Sequence, residues 1–132
     1  MKKIILTFLF LITTNIYSET FTIEFLFHTT AEVAKEPRLV KRETRMEVTF
    51  DSESGKGVVK SYSPFSDSFE TNDVSVMAVE KGLYFIENKK NGFGVISFSL
   101  HSGEASYSNS KIFYGTLTSY QLYGKGRILE ER

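Results

Sequence analysis

ETFTIEFLFH, residues Glu19 to His28, alternates apolar and polar side chains, and only Leu26 interrupts the alternation. The residues on the apolar parity are Phe21, Ile23, Phe25 and Phe27. Because successive side chains leave a strand on opposite faces, a period of two predicts a strand with one buried face. No segment of the chain shows sustained helical periodicity, so this first strand indicates an all-β protein.

Seven further β-rich runs follow: Leu39–Phe50, Val58–Tyr62, Val74–Val79, Leu83–Glu87, Phe93–Leu100, Ala105–Ser108 and Ile112–Tyr123. The separators between the last five runs are Lys81-Gly82, Asn91-Gly92, Ser102-Gly103 and Asn109-Ser110. Short strands with turn signals between them predict an antiparallel meander. A sheet of about eight strands can avoid exposed edge strands by closing as a small barrel or by packing as a sandwich. The sequence leaves both architectures open.

Two longer connections are expected within this meander. Thr29–Pro37 reads as a connection that could hold one helical turn, and Ser63–Asp73 is the longest break between β-rich runs. Both contain proline, which cannot donate to a strand ladder and so favours connections.

Residues 1–18 have the features of a secretory signal peptide. Two lysines open the segment, the apolar run Ile4–Ile12 follows, and Ser18 fits the position before a cleavage site. The apolar run is too short for a membrane span, which needs about 20 residues. We therefore expect a single all-β domain at 19–132 that is exported, either periplasmic or secreted, and that has no integral membrane span.

The net charge and the cysteine content argue against several classes of partner and site. The chain has 16 basic and 16 acidic residues, and residues 1–18 contain two of the basic ones, which leaves 14 basic and 16 acidic residues, a net charge of −2. Nucleic-acid-binding proteins normally have a strongly basic face, so no nucleic-acid partner is predicted. The chain has no cysteine, which excludes disulfides, thiolate metal sites and thiol nucleophiles.

The segment Thr49–Val59, TFDSESGKGVV, contains a glycine–lysine–glycine sequence that invites a chemical interpretation. A phosphate-binding P-loop needs an earlier glycine and a following helix, and an EF-hand calcium loop needs a closing glutamate; this segment has neither pattern. Ser54-Gly55 and Ser102-Gly103 instead occupy equivalent places between predicted strands. Both are predicted to be bulged hairpin turns.

The spacing of the histidines and serines gives little support for a metal site or a catalytic triad. His28 and His101 are the only histidines, and a zinc site needs three or four protein ligands, so no metal site and no cofactor are predicted. No Gly-x-Ser-x-Gly elbow is present, and a catalytic triad would have to be assembled by the fold alone. We expect no catalytic residues and a protein that is not an enzyme.

Tyrosines near the carboxyl terminus are the candidate ligand-binding residues. Tyr107, Tyr114 and Tyr120 lie in the last predicted strands, and Tyr114 shares the parity of Tyr120 in the run Ile112–Tyr123. In a closed barrel one parity lines the interior, where aromatic rings either fill the space or form the wall of a cavity for one small apolar ligand. Core packing is the alternative for these tyrosines.

Two sets of residues are candidates for contact with a partner. Arg38, Lys41 and Arg42 belong to the mixed-charge segment Lys35–Glu47, which could dock on anionic lipid, a glycan or an acidic protein. Such a segment is also typical of a solvated loop and edge strand.

Ser102 and Gly103 form the second candidate set. The segment Ser102–Tyr107, SGEASY, resembles the Ser-Gly-x-x-Tyr loop of small exported barrels that inhibit C-type lysozymes, with one residue more. In a strand, one extra residue moves the tyrosine to the opposite face.

These features together predict an exported, non-enzymatic binding domain of unknown specificity, whose ligand is a small apolar or lipid-like molecule in or beside the barrel. A protein-interaction module of the cell envelope, such as an inhibitor or an assembly factor, is the second interpretation. A hydrolase is the third.

Overall fold

Eight strands, each paired antiparallel with the next, form a barrel that closes where β8 pairs with β1. The structure, a computed structural model, describes residues 19–32, 38–63 and 68–129, and only the backbone of 29–32, 38–42 and 113. The strands are β1 (Thr20–Glu32), β2 (Arg38–Asp51), β3 (Lys56–Tyr62), β4 (Phe69–Val79), β5 (Gly82–Lys89), β6 (Gly92–Ser99), β7 (Glu104–Phe113) and β8 (Thr116–Ile128). The prediction of an all-β meander is confirmed, and the architecture is the barrel rather than the sandwich.

The predicted signal peptide at 1–18 lies outside the described residues. In the described ranges, no helix is long and apolar enough to cross a membrane.

Both predicted long connections are shorter than expected. β1 continues to Glu32 because its extension pairs with β2 on one side and β8 on the other, so the backbone groups of residues 29–32 have strand partners. The predicted connection and helical turn are therefore wrong up to Glu32. β4 likewise begins at Phe69, which pairs with Tyr62.

The predicted turn at Asn109-Ser110 is also wrong, because both residues lie inside β7. The hairpin turn between β7 and β8 is Tyr114-Gly115, whose φ angles are 50° and 76°. Positive φ at both central residues is the geometry of a type I′ turn. Asn109 remains in the strand because its side chain points inward and bonds two tyrosines.

The barrel interior is built around the alternating residues of β1. Phe21, Ile23, Phe25 and Phe27 are all fully buried, as their parity predicts. The ring of Phe25 lies 5.8 Å from that of Phe85 and 5.3 Å from that of Phe98, both in edge-to-face geometry. Phe25 therefore joins the first strand to β5 and β6 on the far wall of the barrel.

The two ends of the barrel differ. We call the base the end that carries the turns at residues 52–55, 80–81 and 100–103, and the mouth end the one that carries the turns at 90–91 and 114–115. At the base, Ser52 is buried, donates its backbone N–H to the carbonyl oxygen of Glu19 at 2.9 Å, and accepts the N–H of Glu19 on its Oγ at 3.0 Å. The start of the described chain is thus bonded to the first base turn.

Gly126 provides the space that the central rings occupy. A Cβ atom at this position would lie 2.7 Å from Cδ1 of Phe25 and 2.9 Å from Cε1 of Phe98. Both rings are fixed by their neighbours, so a side chain here would have to displace them.

Gly126→Ala is therefore expected to lower the free energy of unfolding by about 1–3 kcal/mol through overpacking. Urea unfolding followed by circular dichroism measures the change. Lys125→Ala, an outward substitution at the next residue, is the matched control and should stay within about 0.5 kcal/mol of the parent protein. Equal destabilisation by both substitutions would contradict the packing argument.

Candidate functional site

The barrel interior opens at the mouth end into a cavity of about 630 Å³. Met46 and Leu122 provide apolar surface at its floor. Tyr62 and Phe69 border it on one side, but their rings, with centroids 5.6 Å apart, follow the outward parity and contact Arg45 and Lys60. Tyr120 completes the lower wall. The concave surface is therefore apolar at its floor, with the ring of Tyr120 in its wall.

The rim of this cavity is polar. Inward positions that hold aromatic residues near the base hold hydroxyl or charged residues near the mouth, such as Thr118, Glu70, Lys89 and Lys111. Along β5, for example, the inward side chains pass from Leu83 through Phe85 and Glu87 to Lys89. Because every second residue of a strand faces the same side, the inward side chains of β5 change from apolar in the core to charged at the mouth.

A buried polar network lies beneath the cavity. The Tyr107 hydroxyl, fully buried, donates to Oε1 of Glu87 at 2.6 Å, and Nδ2 of Asn72 donates to Oε2 of the same carboxylate at 3.0 Å. Nζ of Lys89 lies 3.4 Å from Glu87 Oε1. Three donors therefore compensate a carboxylate that is only 1% exposed, as burial of a charge requires.

Burial, and secondly the nearby Glu87 carboxylate, raise the pKa of Tyr107 far above its ordinary value. Tyr107 therefore stays protonated and remains a donor across the physiological range. The same contact requires glycine at position 94, where a Cβ atom would lie 2.6 Å from the Tyr107 hydroxyl.

Asn109 connects this network to the wall of the cavity. Its Nδ2 donates to the hydroxyl of Tyr107 at 2.9 Å and to the hydroxyl of Tyr120 at 3.0 Å. Asn109 is 3% exposed, and its Oδ1 has no hydrogen-bond partner among the described residues. A buried acceptor without a donor is costly, so this oxygen, on a side chain bonded to Tyr120 of the cavity wall, is a position that favours a donor.

The three candidate tyrosines have three different positions. Tyr107 lies in the buried network below the cavity, and Tyr120 lies in the cavity wall. Tyr114 occupies the β7–β8 turn and is 93% exposed, so it does not face the interior. The expected common parity of Tyr114 and Tyr120 is wrong because the turn at Tyr114-Gly115 separates them.

The candidate partner residues are also separated. Arg38, Lys41 and Arg42 lie on the part of β2 nearest the mouth end, and their side chains are outside the described set. Ser102 and Gly103 lie in the β6–β7 turn at the base.

The polar groups of this base turn bond within the barrel. Ser102 Oγ accepts the N–H of Glu104 at 3.2 Å, and the carbonyl oxygen of Gly103 accepts the N–H of Gly126 at 2.9 Å. A role for Ser102 and Gly103 in partner binding stays a prediction. Tyr107 is fully buried and points into the core, so it does not project from this turn.

The other sequence motifs have structural positions. Thr49–Val59 forms a hairpin whose Gly55 has a φ of 68°, which confirms the predicted turn. His28 is exposed at a bulge in β1, and His101 is exposed at the base turn. Within the described ranges no three histidine or acidic side chains are placed to hold a metal ion.

Sequence reasoning missed Glu87, Asn109 and Lys111 as residues of this site. The signal for Glu87 was its position in GLYFIENK, where it shares the parity of Leu83 and Phe85. An acid on the apolar parity of a strand indicates a buried, paired carboxylate. No comparable signal distinguishes Asn109, since the dipeptide Asn109-Ser110 has a composition typical of turns.

Comparison with known proteins adds no family to these observations. No protein-family model matches the chain, and no curated protein matches its sequence.

Tyr107→Phe removes one hydroxyl and is expected to lower the free energy of unfolding by about 1–3 kcal/mol, because Glu87 and Asn109 each lose a buried partner. Tyr123→Phe is the matched control: its hydroxyl bonds Gln121 at the exposed surface, so the loss should be below about 0.5 kcal/mol.

The difference between the parent protein and Tyr107→Phe should also depend on pH. Since the folded-state pKa of Tyr107 exceeds the unfolded value of about 10, the contribution of its protonated hydroxyl is complete below that pH. Above it, the contribution falls by about 1.4 kcal/mol per pH unit. Urea titrations in neutral and alkaline buffer measure this, and a constant difference would contradict the buried network.

Proposed function

We propose that this chain is an exported, non-enzymatic binding domain that takes one small amphiphilic, lipid-like molecule in the mouth of its barrel. The observation that supports this most directly is the cavity of about 630 Å³ at the mouth end of a barrel whose central interior is filled by buried apolar side chains. Ligand sites in proteins have volumes of about 300–1,000 Å³ and combine apolar walls with a few polar groups.

The distribution of side chains favours an amphiphile over a purely apolar ligand. Met46 and Leu122 suit an apolar segment at the floor, while Lys111 at the rim suits a polar or anionic head. Lys111 is exposed and forms no ion pair with any described residue, whereas Lys89 is already paired with Glu87. Lys111 is therefore the cation best placed to meet an acidic head group.

Glu87 and Tyr107 are better suited to supporting this site than to catalysis. Both are buried, and the carboxylate already accepts two hydrogen bonds and an ion pair. A general base needs access to a substrate proton, and this carboxylate is enclosed beneath the cavity floor. We assign to these residues the role of fixing the walls on which a ligand rests.

Filling the cavity should abolish binding. Thr118→Trp places a large ring at the rim, and we expect its affinity for dodecanoate and for 1-anilinonaphthalene-8-sulfonate to fall at least about tenfold, because the ring takes the volume of the ligand. Ser75→Trp, on the outward face of β4, is the matched control and should bind as the parent protein does. Titration calorimetry and fluorescence measure both. Failure of the parent protein to bind any amphiphile, or equal binding by both variants, would reject the proposal.

Lys111→Gln should distinguish head groups. We expect about 1.4- to fivefold weaker binding of dodecanoate, since an exposed ion pair contributes about 0.2–1 kcal/mol, and unchanged binding of the uncharged dodecyl maltoside. The comparison within one variant controls for its folding. Equal losses of affinity for the two ligands would show that Lys111 does not discriminate between charged and uncharged head groups.

A further inference from the structure

The β7–β8 hairpin and the start of β6 present a cluster of exposed apolar side chains at the mouth end, which we call the tip patch: Phe93, Ile112, Tyr114 and Leu117. They are respectively 55%, 59%, 93% and 65% exposed. Ile112 and Leu117 are direct cross-strand partners, and Phe93 lies diagonally from Ile112 on the neighbouring strand β6. Large apolar side chains that are neighbours on an outer surface indicate an interaction site rather than scattered exposure.

Tyr114 is an unusual residue for its position. It is the first residue of a type I′ turn with φ of 50°, where asparagine, aspartate and glycine are favoured and an aromatic residue is strained. The strained φ of Tyr114 therefore lowers the stability of the turn, although its ring is exposed. Such strain at an exposed position is typical of a functional residue.

Two lysines lie near the tip patch. Lys90 is exposed in the neighbouring β5–β6 turn, and Lys111 precedes Ile112 at the rim. In the whole segment from Asn88 to Thr118 the only acidic residue is Glu104, which begins β7 at the base. The hairpin tips at the mouth end thus combine apolar and aromatic side chains with lysine.

We propose that the tip patch docks the barrel on an anionic lipid surface. Tyrosine is suited to the boundary between acyl chains and head groups, because its ring is apolar and its hydroxyl is polar. Leu117 and Ile112 provide the apolar contact, and Lys90 and Lys111 meet the lipid phosphates, to which each nearby lysine adds attraction. Charge complementarity therefore favours an anionic bilayer over a neutral one.

This docking directs the cavity towards the lipid. The tip patch and the cavity share the mouth end, and Lys111 of the cavity rim is next to Ile112 of the tip patch in β7. A barrel held by the tip patch would therefore present its opening near the head groups, where amphiphiles are concentrated. The docking itself does not require a ligand in the cavity, so it can be tested separately from the proposed function.

The test is co-sedimentation of the full chain with vesicles of phosphatidylcholine alone or mixed with phosphatidylglycerol. The parent protein should bind the anionic vesicles more tightly, and added salt should weaken that binding. Lys90→Gln should weaken it about fivefold. The double substitution Tyr114→Asn, Leu117→Thr should weaken it at least about tenfold by removing apolar contact.

The design separates docking from folding. Tyr114→Asn puts the favoured residue before Gly115 in a type I′ turn, so the variant should unfold at the same or a higher urea concentration. Met77→Thr, which removes another half-exposed apolar side chain from the outer face near the base, is the matched control and should bind vesicles as the parent protein does. Every variant carries the same residues 1–18, so any contribution from that segment is common to all.

Three outcomes would overturn the proposal. The first is equal binding to neutral and anionic vesicles, and the second is vesicle binding that the double substitution leaves unchanged. The third is a concentration-dependent dimer, detected by light scattering, that the double substitution abolishes while vesicle binding persists; the tip patch would then be a contact between two copies of the chain.

Discussion

The edge-to-face packing of Phe25 against Phe85 and Phe98 is the contact on which the closed barrel rests. β1 is hydrogen-bonded to β2 and β8, while its inward rings reach across the interior to β5 and β6. These rings therefore connect opposite walls that no backbone hydrogen bond joins. Each such aromatic pair contributes about 0.5–1.5 kcal/mol beyond burial of its area. In a chain without cysteine, this ring cluster provides cross-barrel contacts that no disulfide can provide.

Filling the lower barrel with rings determines what can lie above it. Phe27 is 6.2 Å from the ring of Tyr107, and Tyr107 is 6.1 Å from that of Tyr120, so the aromatic stack continues towards the mouth but acquires hydroxyl groups. Those hydroxyls need partners, which Glu87 and Asn109 provide. The result is a rigid floor in which side chains are fixed by hydrogen bonds as well as by packing. A cavity above such a floor is preorganised, which reduces the entropy lost when a ligand binds.

The sequence predicts the strands better than the site, for reasons that particular residues make clear. The parity of Phe21 to Phe27 is a local property, and every member is buried as predicted. The turn at Tyr114-Gly115 was missed because tyrosine is rare at positive φ, while Asn109-Ser110 carries the composition of a turn without being one. Pairing with strands distant in sequence overrides composition there. The cavity is less predictable still, since its walls come from strands across the whole chain, and only closure of the barrel brings them together.

The contrast between the two ends of the barrel gives the strongest reason to seek function at the mouth. At the base, two turns 48 residues apart are built alike: Gly55 donates to the carbonyl oxygen of Asp51 and Gly103 to that of Ser99, both at 2.9 Å. Their own carbonyl oxygens accept N–H groups from β4 and β8, so each turn is bonded to the next strand but one. In both turns, the backbone N–H and carbonyl groups of the glycine are therefore bonded within the barrel. At the mouth the turn residue is a strained, exposed tyrosine, and the inward residues surround an open cavity.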